Sequence, residues 1–195
     1  PDYIDPAFHA QATRRACLNV DGWAMRPKTL MAAAASAGQD AELVICEGVM
    51  GLFDGATLHE GSTANIAETS GWPIVLVVDS RAQGASAAAL VKGFDSFRAN
   101  VRLAGVIFNR VGSARHQRVI REAMREAAPH IPVLGMVPME SGLELPSRHL
   151  GLIQAAEHPS LAALMDHASR VMARHVDIQA LRVLATGWAV QGEAK

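Results

Sequence analysis

Cysteine is scarce in this chain, which has only Cys17 and Cys46 among its 195 residues. Two cysteines are too few for a disulfide scaffold or a cysteine-rich zinc site, and they favour a reducing cytoplasm as the location. An excess of charge of either sign is also lacking, because 18 basic and 19 acidic side chains give a formal charge of −1. This balance gives no electrostatic case for binding nucleic acid or an anionic membrane.

Long apolar runs and leader features are absent as well. No run approaches the roughly 20 apolar residues that a membrane-spanning helix needs. The first residues contain no initiator Met and no signal-peptide pattern, so a chain opening on Pro1 is expected to be a fragment. Half of the residues are nevertheless apolar, which predicts one domain with a sizeable core.

Two glycine motifs of nucleotide-binding proteins are also missing. The chain contains neither G-x-x-x-x-G-K-[ST] nor G-x-G-x-x-G, the loops that cradle phosphates in P-loop and dinucleotide-binding folds. If the protein binds a nucleotide, its phosphate cradle is expected upstream of Pro1.

What is present is an alternation of strand and helix patterns. Near-continuous apolar runs predict parallel strands covered on both faces at Glu42–Glu47, Ile74–Asp79, Leu103–Asn109 and Pro132–Val137. Helices are predicted at Lys28–Ala37, Ser62–Thr69, Ala85–Phe97, Ala114–Ala127, Ser160–Arg174 and Val176–Ala185. The pattern therefore predicts an α/β fold with a parallel sheet and flanking helices, and no strand after Val137.

The most distinctive stretch follows the first predicted strand, which would deliver Glu47 to its carboxyl end. The next residues form a loop that contains Asp54 and three glycines, Gly48, Gly51 and Gly55. Glycine allows the backbone to come close to a ligand, so this loop predicts a nucleotide or metal site. An ordinary surface turn is the alternative, because Asp-Gly is common in turns.

Polar side chains follow all four predicted strands. Ligands of open α/β sheets collect at that edge, which predicts a ligand site, although loop residues and helix caps are the alternative. In chain order, the residues at these four ends are Glu47, then Asp79, Ser80, Arg81, Gln83 and Gly84, then Asn109 and Arg110, and finally Pro138, Met139 and Glu140. Among them, Gly84, Pro138 and Met139 are not polar.

The opening segment and the rare side chains give weaker signals. Asp2 and Asp5 lie three residues apart in a proline-flanked loop, where they would bind Mg²⁺, orient an acid group or solvate a turn.

The histidines and tryptophans give only general expectations about their positions. His9, His59 and His149 are weak candidates for substrate contact, His116 is expected to be a surface or helix residue, and Trp23, Trp72 and Trp188 are expected in or beside the core.

Five segments, in order across residues 1–152, resemble a known family. They are Pro1-Asp-Tyr-Ile-Asp-Pro6, Glu47-Gly-Val-Met-Gly-Leu-Phe-Asp-Gly55, Val77-Val-Asp-Ser-Arg81, Phe108-Asn-Arg110 and Pro146-Ser-Arg-His-Leu-Gly-Leu152. This set is similar to the cobyrinic acid a,c-diamide synthases, which include the hydrogenobyrinic acid a,c-diamide synthases of the aerobic cobalamin pathway. The Met-Gly-Leu-Phe-Asp loop is specific, because the related dethiobiotin synthetases and cobyric acid synthases usually have Glu-Gly-Ala-Gly there.

The resemblance implies a P-loop NTPase fold of the dethiobiotin-synthetase type that lacks its first strand and phosphate loop here. Residues 1–185 would be a partial ATP-binding amide-ligase domain, and residues 186–195 a linker toward a glutaminase domain. The implied reaction is amidation of the a- and c-acetate side chains of cobyrinic or hydrogenobyrinic acid, using ATP, Mg²⁺ and glutamine, through an acyl phosphate. The truncated chain is expected to be inactive alone, and a homodimer is left open.

The resemblance also implies roles for acidic residues. Glu47 would organise Mg²⁺ and phosphate, with Asp2 as its partner on the metal. Tyr3 and Asp5 would lie at the corrinoid carboxylate, and Asp54 would face the substrate or the transferred phosphate. Asp5, Glu47 and Asp54 would thus be the catalytic residues.

Nucleotide contacts are implied for two residues of the later strands. Asn109 would bind the adenine edge, with Pro138 in the base pocket, whereas no role follows for Arg148 and His149. The alternatives are another P-loop ligase of the same fold, a partitioning-type ATPase, and a truncated binding module without catalytic activity.

Overall fold

The computed structural model describes residues 4–143, 147–148, 151–152, 155–157 and 159–187. The chain divides into two compact units, of which the first is Pro1–Gly71, Leu145–Met165 and Gly187–Lys195. The second is Trp72–Glu144 and Asp166–Thr186. The domain boundary between residues 185 and 186 stays a prediction. No helix within the described ranges is long and apolar enough to span a bilayer.

Helices and strands alternate along the middle of the chain, which confirms the predicted α/β class. In chain order, the elements are α1 (Asp5–Thr13), α2 (Pro27–Gly38), α3 (Thr63–Ser70), β1 (Ile74–Asp79), α4 (Ser86–Phe97), β2 (Leu103–Val111), α5 (Ala114–Ala127), β3 (Val133–Pro138), β4 (Ser147–Arg148), β5 (Gly151–Leu152), α6 (Leu161–His175) and α7 (Ile178–Leu184). Short 3₁₀ helices lie at Ser141–Leu143 and Ala155–Glu157.

The second unit contains a three-stranded parallel sheet in the order β1-β2-β3. All strand positions of β2 from Leu103 to Phe108 are buried, as expected of a parallel strand covered on both faces. The edge strand β1 is less covered, since Val77 is 62% exposed. The expectation that every strand is covered on both faces is therefore wrong for β1.

The register of the sheet aligns the carboxyl ends of its strands. Asp79 at the end of β1 lies opposite Asn109 of β2. Val111 at the end of β2 lies opposite Pro138 of β3. Parallel pairing therefore collects the polar residues that follow β1 and β2 at one edge of the sheet.

A small apolar core packs β3 against the end of α6 and against α7. Its buried members are Ile107, Leu134, Val137, Val171 and Val176. Gly135 forms an isolated antiparallel bridge with Val176, and Asp177 begins α7 by accepting a hydrogen bond from the Ala180 amide at 2.9 Å. This packing fixes the otherwise short α7 in place.

The predicted first strand, Glu42–Glu47, is wrong. The segment has no strand assignment, and no strand among the described residues pairs with it. Ile45 in its centre is 83% exposed. An apolar run becomes a strand only when a neighbouring strand satisfies its backbone hydrogen bonds, so pattern alone overestimates strand content here.

Two other expectations are also wrong. Asp5 does not lie in a loop but at the start of α1, where an acidic residue in the first turn favours the helix. Strands do not stop after Val137 and β3, because β4 and β5 form a two-stranded antiparallel ladder with Arg148 opposite Gly151. Such short strands are below the length at which an apolar pattern can be detected.

Candidate functional site

Glu47 is held in the first unit by His9, a residue of α1. The His9 Nε2 atom makes a hydrogen bond with Glu47 Oε2. Both side chains are about half exposed, at 47% and 52%, so the pair lies at the surface. The second oxygen of Glu47, Oε1, makes no hydrogen bond with the described residues. An exposed carboxylate with one unused oxygen is a donor that suits Mg²⁺.

The glycine-containing loop after Glu47 packs against the start of α3. The Ala64 amide donates to the Leu52 carbonyl at 2.9 Å, and Leu52 is buried. Ser62 and Asn65 form a reciprocal capping box at the helix start. A Cβ atom at Gly48 would lie 2.7 Å from Thr63 Oγ1, so this loop requires glycine for close approach rather than for ligand contact alone.

Asp54 occupies a tight turn within that loop. Its amide donates to the Gly51 carbonyl at 2.9 Å, and the side chain is exposed. The turn therefore presents the carboxylate to solvent, within a loop that the bond from Ala64 to Leu52 holds to the start of α3.

Cys46, beside Glu47, is a poor nucleophile in this structure. Although the residue is exposed at the surface, desolvation by neighbouring protein atoms raises the pKa of its thiol. The nearby Cys17 and Glu47 raise the pKa further. A thiol that resists ionisation is unsuited to covalent catalysis.

A shallow cleft of about 400 Å³ also lies in the first unit, lined by Gly22, Trp23, His59, Glu60, Gly61 and Asn65. Trp23 is 59% exposed, so a place inside the core is wrong for this tryptophan. Asp21 holds the Trp23 segment by accepting hydrogen bonds from the amides of Trp23 and Ala24 at 2.8 and 3.1 Å.

In the second unit, the sheet edge brings Asp79, Asn109 and Arg110 together. The Arg110 guanidinium lies 3.0 Å from Asp79 Oδ2, and the Arg110 amide donates to Asn109 Oδ1 at 2.8 Å. This bond orients the Asn109 side chain with its oxygen toward the backbone. Its amide nitrogen makes no hydrogen bond within the described part of the chain, and is therefore available to a ligand.

The end of β3 contributes Pro138 and Glu140 to the second unit. Pro138 lies opposite Val111, two residues beyond Asn109, so both predicted nucleotide-contacting residues lie at the same sheet edge. Glu140 is engaged by His167 at 3.4 Å. Glu140 therefore has a polar partner within the second unit.

Several predicted positions lie outside the described residues. These are Asp2, Tyr3, His149 and Trp188, whereas Arg148 is described only as part of β4. Among the described residues, no group of three or more His, Cys, Asp or Glu side chains could hold a metal ion. The proposed metal pair Asp2 and Glu47 therefore remains a prediction.

The chain belongs to the AAA domain family, whose model matches residues 9–147. Within that class it is similar to hydrogenobyrinate a,c-diamide synthases, which confirms the resemblance noted in the sequence. It is 48% identical to the enzyme of Brucella anthropi over 94% of this chain and 42% of that protein. The enzymes of Rhizobium meliloti and Rhodobacter capsulatus are also each 48% identical, over 95% of this chain and 43% of their own lengths.

The chain thus spans about two fifths of the length of the curated relatives it matches. No solved structure gives a significant match.

Sequence reasoning missed two contacts that the fold creates. The sequence makes His9 a weak candidate for substrate contact, whereas the structure places it on Glu47. The sequence predicts an ordinary helix or surface residue at His116, whereas the structure shows that His116 joins two loops at the sheet edge. No local pattern identifies either contact, because the partners lie 38 and 33 residues away.

Proposed function

We propose that the protein containing this chain amidates the a- and c-acetate side chains of hydrogenobyrinic acid, using ATP and glutamine. The observation that carries this proposal is the 48% identity to hydrogenobyrinate a,c-diamide synthases over nearly the whole chain. The AAA domain match supports nucleotide use. The relatives favour hydrogenobyrinic over cobyrinic acid as the substrate.

The proposed chemistry proceeds in two steps at each acetate. A carboxylate oxygen of the substrate attacks the γ-phosphorus of ATP, and ADP leaves, which gives an acyl phosphate. Ammonia released from glutamine then attacks the acyl carbon. Phosphate leaves with the electron pair of the broken C–O bond, the nitrogen loses a proton, and an amide remains. Positioning and charge stabilisation provide most of the catalysis in phosphoryl transfer.

Glu47 is the residue best suited to organise Mg²⁺ in this scheme, with Asp2 as its proposed partner. When bound, Mg²⁺ neutralises charge between the γ-phosphate and the incoming carboxylate. His9 occupies only one oxygen of Glu47 and orients the carboxylate. The other oxygen is the one available to an ion.

Asp5, Tyr3 and Asp54 are the proposed contacts to the corrinoid. Asp54 is supported by its exposed position in an anchored turn. Asp5 lies in the first turn of α1 and is half-buried. It would therefore stabilise the helix start in addition to contacting the substrate.

Asn109 and Pro138 are the proposed contacts to the adenine of ATP. Asparagine pairs with both a donor and an acceptor on the adenine edge when its amide is correctly oriented. The Arg110 amide occupies Asn109 Oδ1, so Asn109 Nδ2 is the atom that donates to the base, and a second contact would use the remaining lone pair of Oδ1.

The test uses the complete protein with ATP, Mg²⁺, glutamine and either hydrogenobyrinic or cobyrinic acid, while the corrinoid mass is followed. The expected result is two successive replacements of OH by NH₂ on hydrogenobyrinic acid, each dependent on ATP. No mass change with either corrinoid, despite bound ATP, would indicate another ligase of the same fold. Absence of ATP binding would indicate a binding module without catalytic activity.

A further inference from the structure

The imidazole of His116 joins the loop after β1 to the loop after β2. His116 Nδ1 accepts a hydrogen bond from the Gly112 amide at 2.9 Å, so the ring proton lies on Nε2. That Nε2 atom lies 2.6 Å from the Gln83 carbonyl oxygen and donates to it. A neutral, correctly oriented imidazole therefore satisfies one backbone donor and one backbone acceptor, 29 residues apart along the chain.

The two hydrogen bonds of His116 close a circuit around the sheet edge. The Gln83 amide donates to the Ser80 carbonyl at 3.0 Å, and the Ser80 amide donates to the Asn109 carbonyl at 2.8 Å. Ser80 is fully buried. From Asn109 the chain leads through the end of β2 to Gly112, and so back to His116. If one of the two loops moves, a hydrogen bond that links it to the other loop therefore has to break.

Two strained residues lie inside this circuit. Ala82 and Arg110 have φ values of 61° and 55°, in the left-handed region that costs non-glycine residues free energy. Such backbone persists only where the surroundings hold it. The Arg110 conformation also places its amide on Asn109 Oδ1 and its guanidinium on Asp79. Loss of the bond to Gly112 would release strain at Arg110 and free the neighbouring Asn109.

We propose that His116 is a positioning residue for nucleotide binding. It touches no substrate atom in this proposal, but it fixes the loop that orients Asn109 toward the adenine of ATP. The inference rests on the proposed function, because that function assigns ATP to this sheet edge. It adds a residue that determines how well the site distinguishes adenine from guanine.

Two variants of the complete protein separate the two bonds of His116. In His116→Asn, the side-chain oxygen takes the place of Nδ1 and keeps the Gly112 bond, but the chain is too short to reach Gln83. In His116→Gln, the amide reaches the Gln83 carbonyl and the acceptor for Gly112 is lost. Each is expected to raise the KM for ATP by about fivefold to tenfold, the equivalent of about one net hydrogen bond, with kcat changed less than about twofold.

A third measurement is the preference for ATP over GTP, expressed as the ratio of their kcat/KM values. Both His116 variants are expected to lower this ratio, since a loosely held amide reads the base edge less well. The matched control is His130→Asn. His130 also bonds across elements, to Asp95 at 2.8 Å, but it follows α5, whereas His116 lies in the first turn of α5. Its loss is expected to leave both the KM for ATP and the base preference unchanged.

Direct ATP binding, measured by calorimetry, separates this inference from the proposed function. Wild-type protein that binds ATP without amidating a corrinoid overturns the function, while weaker ATP binding by both variants still supports the positioning role. An unchanged ATP affinity and base preference in both variants would overturn that role. So would equal losses in the control, or failure of both variants to fold, because those results assign His116 to general stability. A wild-type protein that binds no ATP overturns both proposals.

Discussion

At the scale of single residues, Glu47 shows how one contact changes the interpretation of a side chain. Its sequence context predicts a carboxylate at a strand end. The structure instead places it on an irregular segment, where His9 from α1 holds one of its oxygens. The carboxylate is thus positioned by a helix rather than by a sheet, and its exposure keeps the other oxygen available.

Replacement of Glu47 by Gln is expected to lower turnover of the complete protein about 100-fold or more, since the proposed role of Glu47 in phosphoryl transfer requires its charge. The melting temperature should change little, because the side chain is half exposed and the Gln oxygen still accepts a bond from His9. His9→Asn, which keeps the carboxylate, is the control and should lose much less activity. Wild-type turnover in Glu47→Gln would exclude the metal role.

Asp21 gives a prediction about pH. Its bonds from the amides of Ala24 and Trp23 lower the pKa of its carboxyl below the ordinary value of 3.8. A lowered folded-state pKa stabilises the protein above 3.8, and this stabilisation is lost as the pH falls through the folded-state value. Asp21→Ala should therefore lower the free energy of unfolding at neutral pH, by about 1 kcal/mol or less because the site is solvent-screened.

Urea unfolding at neutral and acidic pH checks this expectation, with Asp21→Asn as the matched variant. Asn keeps the accepting oxygen but has no charge. The free energy of unfolding of this variant should therefore not change with pH because of this site. A stability difference between wild type and Asp21→Ala that stays constant on acidification would contradict the assignment.

At the scale of elements, the contact between β3 and the end of α6 depends on a glycine. A Cβ atom at Gly135 would lie 2.8 Å from Val176 Cγ2 and 2.9 Å from the His175 carbonyl oxygen. The backbone oxygen cannot move without shifting the helix end. Gly93 in α4 is the opposite case, since a Cβ there would meet nothing within 4 Å.

Gly135→Ala is therefore expected to destabilise the protein by about 1–3 kcal/mol through overpacking. Gly93→Ala is expected to stabilise it by up to about 1 kcal/mol, since alanine is the better helix former. Denaturant unfolding of both variants measures the two signs directly. A neutral or stabilising effect of Gly135→Ala would show that the strand–helix contact does not control stability at Gly135.

The elements also show where sequence patterns succeed and fail. The bounds of α5 were predictable from the sequence. A capping serine, Ser113, stands directly before an amphipathic pattern that ends at Ala127. The strand prediction at residues 42–47 failed, although this segment, like β1, contains a continuous apolar run. What differs is pairing: β1 has β2 beside it, whereas no described strand lies beside the earlier run.

At the scale of the whole molecule, the residues proposed to have functional roles belong to two different compact units. The first contains Glu47 and Asp54, and the second contains Asn109 and Pro138. The near-neutral charge of −1 offers no general attraction for anionic substrates. Under the proposed function, this chain would therefore contribute to recognition of a nucleotide and of a polycarboxylate corrinoid through a few positioned groups rather than through its overall field.

The sequence by itself determined the α/β class, three of the strands, the helices from α2 onward and the family. These depend on local periodicity, caps and a specific glycine loop, which are all properties of neighbouring residues. Only the tertiary structure decided that residues 42–47 are not a strand, that His9 binds Glu47, and that His116 joins two loops. Each of these depends on partners distant in sequence, and a hydrogen bond exists only when folding brings its two groups together.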